Sequence, residues 1–96
     1  MTNYVLTFRA QPQRTLTAQE EARWPAWFGQ IGASIADTGN RVGQARSVGY
    51  NGERDDVLAG YIVITAADFD AAVALAQGCP ILQQGGRLEV GEIVPA

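Results

Sequence analysis

Any chemistry done by this chain is done without histidine and without lysine, because its 96 residues contain neither. An imidazole base, a Ser–His or Cys–His nucleophile pair, a histidine metal ligand and a side-chain Schiff base are all excluded. What remains is carboxylate, phenol, thiol, guanidinium and backbone. Asp37, in the run Asp37-Thr38-Gly39-Asn40, is the candidate catalytic residue: a carboxylate with a raised pKa in a cleft can serve as a general base. The other reading of that run is local, with Asp37 and Asn40 bonding nearby backbone while Gly39 supplies an unusual dihedral.

Candidate ligand-binding residues are Arg9, Trp24, Trp27, Asn40 and Tyr61. A guanidinium at Arg9 can grip a carboxylate or phosphate through two parallel bonds, or simply pair with Glu89. Arg46 and Arg87 carry the same ambiguity. Trp24 and Trp27 lie three apart and can floor an aromatic pocket or pack a helix onto a sheet, with Trp24, beside Pro25, the more exposed of the two. Tyr61 can offer a phenol to a ligand or leave its hydroxyl at a rim. Cys79 follows a helix stop with no basic neighbour to lower its pKa, and reads as a small buried hydrophobe. Asp55-Asp56 lacks companion ligands, so no metal is expected. With no Gly-x-Gly pair and no phosphate-binding glycine loop, no cofactor is expected either.

Composition narrows the partners. The net charge is −3 and the seven basic residues, all arginine, are scattered, so no stripe exists to neutralise a row of phosphates and nucleic acid is not an expected partner. No apolar run approaches a membrane span, the chain opens in strand-like sequence rather than a leader, and a lone cysteine forms no internal disulfide. Cytoplasm is the expected location. The length fits one domain, residues 1–96, and a chain this short buries only roughly two-thirds of its unfolded surface, so it gains from association.

The elements that must position these residues follow from periodicity. Asn3 to Arg9 alternates as a strand, with Tyr4, Leu6 and Phe8 on one side and Val5, Thr7 and Arg9 on the other. Thr17-Ala18-Gln19-Glu20 has capping-box spacing and opens a helix carrying Trp24, Trp27, Phe28 and Ile31. Pro25 predicts a kink or break near Trp24, or a fresh start there. Ser34 to Asn40 reads as an exit turn, Gln44 to Tyr50 as a second strand, and Asn51-Gly52 as a hairpin signal. Ala59 to Thr65 is the third strand. Asp68 caps a second helix that stops at Gly78-Cys79-Pro80, and Arg87 to Val94 is the last strand. The order βαββαβ gives a ferredoxin-like α+β fold, a four-stranded antiparallel sheet with two helices on one face. The opposite face, with Val5, Thr7 and Val63, is too apolar to stay wet and predicts a homodimer.

Trp24-Pro25-Ala26-Trp27-Phe28, Asp37 to Gly43, Gly60-Tyr61, Ala71 to Leu75, Gly78-Cys79-Pro80-Ile81-Leu82 and Gly85-Gly86-Arg87-Leu88-Glu89-Val90 together resemble the YCII-related (DGPF-like) family over essentially the whole chain. The resemblance implies a dimeric α+β barrel, two sheets closing on each other. It also implies a histidine–aspartate pair in some members, which cannot be carried over to a chain without histidine. The Asp-Gly-Pro-Phe sequence is absent too, replaced by Tyr50-Asn51-Gly52-Glu53-Arg54. The expected function is therefore a homodimeric small-molecule-binding or accessory module without catalysis. Two alternatives stand beside it. One is a cofactor-free proton-transfer or elimination enzyme using Asp37, with Arg9 or Tyr61 steadying negative charge. The other is a regulatory protein-interaction module, since the wider group is associated with alternative sigma-factor systems.

Overall fold

The computed structural model describes residues 1–49 and 56–95. Alternating burial along β1 (Thr2–Ala10) puts Tyr4, Leu6 and Phe8 inside and leaves Val5, Thr7 and Arg9 half-buried on the other side. The same alternation in β3 (Val57–Ala66) buries Gly60, Ile62, Ile64 and Ala66. These strands pair antiparallel at the centre of a sheet ordered β2-β3-β1-β4, where β2 is Ile35–Arg41 and β4 is Arg87–Glu92. Helices α1 (Ala18–Ile31) and α2 (Phe69–Ala76) cover one face of it. This is the expected ferredoxin-like arrangement.

The core forms where the helices meet the inward residues: Leu6, Ile62 and Ile64 are fully buried, and Trp27, Ile31, Ala72 and Ala76 reach them from the helices. Burying each large aliphatic side chain contributes about 1.5–3 kcal/mol. Small residues let α2 sit close to the sheet. Its N-cap is Asp68, whose Oδ1 accepts from the Ala71 amide at 2.8 Å. In α1 the Thr17 hydroxyl accepts from the Glu20 amide at 3.1 Å while the Glu20 carboxylate accepts from the Thr17 amide at 3.0 Å, the reciprocal capping box.

Four local expectations are corrected. Helix α1 runs through Pro25 without ending or restarting; Pro25 is exposed, so the carbonyl of Glu21 that loses its amide partner faces water and the loss is tolerated. The second strand is Ile35–Arg41, not Gln44 to Tyr50, whose described residues 44–49 are irregular. The residues read as an exit turn are inside that strand. Asp37 pairs with Val63 and Asn40 with Tyr61, so Thr38 and Gly39 together oppose Ile62 as a bulge. Gly39 takes φ +63° there, and a side chain would collide with the Tyr61 carbonyl. Turn chemistry was present, but the chain uses it to kink a strand. The last strand ends at Glu92, although Ile93 still donates to the Asn3 carbonyl at 2.9 Å. Asn51-Gly52 lies outside the described residues.

Candidate functional site

Between the middle of α1 and the sheet lies a groove of about 720 Å³. It exists because Gly60 presents no side chain beneath it, and Phe8 closes to within 3.7 Å of where one would stand. Trp24 and Phe28, one helical turn apart, wall it from α1, and Phe8 and Ile62 form the sheet side. Trp24 meets Phe8 edge-on at a centroid distance of 5.2 Å, a favourable quadrupolar arrangement. Its indole is held by Gln84: Trp24 Nε1 donates to Gln84 Oε1 at 3.0 Å, and Gln84 Nε2 donates to the Glu20 carbonyl at 2.9 Å. Gln84, the buried polar residue here, thus fixes the wall through both ends of its amide.

Charge enters at the mouth. Arg14 and Arg41 line it with Glu21. Arg14 is committed on one nitrogen to Glu20 at 2.8 Å; the hydrogen bond from the Thr17 amide, then that from Arg14, hold the Glu20 carboxyl below its usual range. Arg41 has no ion pair among the described residues. The groove is therefore an aromatic slot with a guanidinium, Arg41, that is in no ion pair among the described residues, able to take a flat ring bearing negative charge.

Of the candidate residues, Trp24, Asn40 and Tyr61 line this groove. Asn40 Nδ2 donates to the Tyr61 hydroxyl at 3.2 Å, and strand alternation puts Tyr61 on the face opposite Ile62, so the two side chains meet on the far side of the sheet from the groove's aromatic walls. Trp27 sits beneath, in the core and 3% exposed. Asp37 is exposed and outside the groove; its Oδ1 accepts from the Gly39 amide at 2.8 Å, bracing the bulge. Arg9 belongs to the helix-free face, beside a different cavity, and makes no ion pair with Glu89. Cys79 is buried and free, and burial pushes its thiol up to about 11. No cluster of three potential metal ligands occurs among the described residues.

Phe28, Arg41 and Gln84 are not among the site residues the sequence points to. The i, i+4 spacing of Trp24 and Phe28 was a usable signal for the first. Arg41 became visible only once β2 was placed, and Gln84 only in three dimensions.

No curated protein matches the sequence. Among solved structures, 5-chloro-2-hydroxyhydroquinone dehydrochlorinase from Burkholderia phenoliruptrix, in complex with 2,5-dihydroxybenzoquinone, is similar with a TM-score of 0.67 at 13% identity, covering 98% of this chain and 95% of that one. That likeness is one of fold. The model of the YCII-related domain matches residues 4–96, and with the βαββαβ fold it places this chain in the YCII-related family.

Proposed function

We propose that the protein is a homodimeric small-molecule-binding module without catalysis, taking a flat aromatic or quinonoid anion in the groove between α1 and the sheet. The observation that carries this reading is the pairing of an aromatic slot, Trp24 and Phe28 over Phe8, with Arg41 at its mouth. Burial of the ring supplies affinity and the guanidinium selects an anionic oxygen. The ligand of the similar dehydrochlorinase belongs to this chemical class and is the natural first probe. Asp37, engaged with its own bulge, is assigned a structural role, and Asn40 and Tyr61, bonded to each other, are assigned to holding β2 against β3 at the groove's border.

Calorimetric titration with 2,5-dihydroxybenzoquinone tests the proposal. Saturable binding is expected, weakened at least tenfold by Arg41→Ala and by Trp24→Ala, and little changed by Asp37→Asn. Absence of saturable heat, or equal affinity in Arg41→Ala, would sink it.

A further inference from the structure

On the helix-free face of the sheet, β1 and β4 set two arginines directly opposite each other, Arg9 and Arg87. Like charges so placed repel, and each calls for a counter-charge. Arg87 has one: its Nε donates to Asp56 Oδ2 at 2.7 Å and its Nη2 to Oδ1 at 3.4 Å. Arg9 is different. Its Nε is buried and has no hydrogen-bond partner among the described residues, and the Thr7 hydroxyl on the same strand face is likewise buried and unpartnered among them. Glu89 lies opposite Thr7, diagonal to Arg9, yet forms no ion pair with it. A guanidinium N–H removed from water with nothing to accept it is costly and demands an explanation.

The fold leaves room for one. Beside Arg9 is a cavity of about 690 Å³, bordered by Arg46, Ser47 and Arg87, by the carboxylates of Asp56 and Glu89, and by the apolar side chains of Val48 and Leu58. Among the described residues three guanidiniums thus border this space against two carboxylates, of which Asp56 is engaged by Arg87; the space is too large for a bare inorganic ion and partly apolar. We propose that this cavity binds a small organic oxyanion, a carboxylate or a phosphate ester. Arg9 and Arg46 hold its oxygens, and its carbon part rests on Val48 and Leu58. The site is separate from the groove under α1, on the other side of the sheet.

Arginine-selective nitrogen-15 NMR reads the claim at the atom concerned. The Nε–H signal of Arg9, identified by its loss in Arg9→Lys, is followed while benzoate or phenyl phosphate is added at ionic strength held constant with chloride. The expected result is a saturable shift, with affinity reduced at least tenfold in Arg46→Gln, an exposed position whose change spares the fold. The tighter of the two probes distinguishes carboxylate from phosphate ester. Arg41→Ala, which disables the groove, leaves this titration unchanged, so failure of one site is distinguishable from failure of the other. A signal that does not move, that drifts without saturating, or that responds equally in Arg46→Gln overturns the proposal. So does a signal that tracks protein concentration rather than added anion, since a second copy would then be supplying the acceptor.

Discussion

At the scale of single residues, two side chains carry consequences out of proportion to their size. Gln84 satisfies the Trp24 indole and the Glu20 carbonyl together. Replacing it with leucine leaves both without a partner, and the expected loss is about 1–3 kcal/mol, measured by urea unfolding. Trp24 fluorescence should also shift as the indole loses its anchor. Cys79 gives a pH signature. Its folded-state pKa is raised from 9.0 to about 11, so the native state holds the proton more tightly than the unfolded one. Stability from this source is fully present below about pH 9 and falls as pH climbs through about 11. The difference in unfolding free energy between wild type and Cys79→Ala should therefore be flat at neutral pH and narrow above pH 9. A constant difference up to pH 11 would refute the assignment. The same burial predicts slow alkylation of the native thiol. Much of this was legible beforehand: Cys79 read as an inert small hydrophobe because nothing basic neighbours it. Arg9 was legible only in part. Its strand face was evident, but its missing acceptor depends on where Glu89 points.

At the scale of elements, β2 is the instructive case. Asp37-Thr38-Gly39-Asn40 has every local mark of a turn, and Gln44 to Tyr50 has more of the composition of a strand. Pairing decided otherwise. A strand exists by virtue of its ladder, and β3 offers its free edge to Ile35–Arg41, where a register shift at Ala36 and the glycine-based bulge at Thr38-Gly39 absorb the surplus residues. Gly39→Ala should then destabilise by more than about 1 kcal/mol, because the left-handed dihedral and the Tyr61 carbonyl both oppose a side chain. If thermal melting shows no loss, the bulge is not held as described. By contrast, the helix caps at Thr17 and Asp68 were readable because capping is a contact between residues three apart. Thr17→Ala should cost about 1 kcal/mol, seen in chemical denaturation.

At the scale of the whole molecule, the two faces of the sheet differ in kind. One carries both helices and the core; the other shows Val5, Thr7, Tyr61, Val63 and Thr65, half-buried in one chain. That asymmetry was legible in the strand alternation, because period-two patterning reports faces directly. If two such faces pair in the proposed homodimer, Val63→Asp should convert the dimer to a monomer by sedimentation. Wild type sedimenting as a monomer at micromolar concentration would refute that assembly.

The sheet has two outer strands, β2 and β4, and neither invites a neighbour. The bulge in β2 throws its outward amides and carbonyls out of register, and Asp37 and Arg41 add charge along that border. β4 is short, bears Arg87, Glu89 and Glu92, and is followed closely by Pro95. Such borders do not template further strands. The chain is thereby protected against open-ended polymerisation into fibrils.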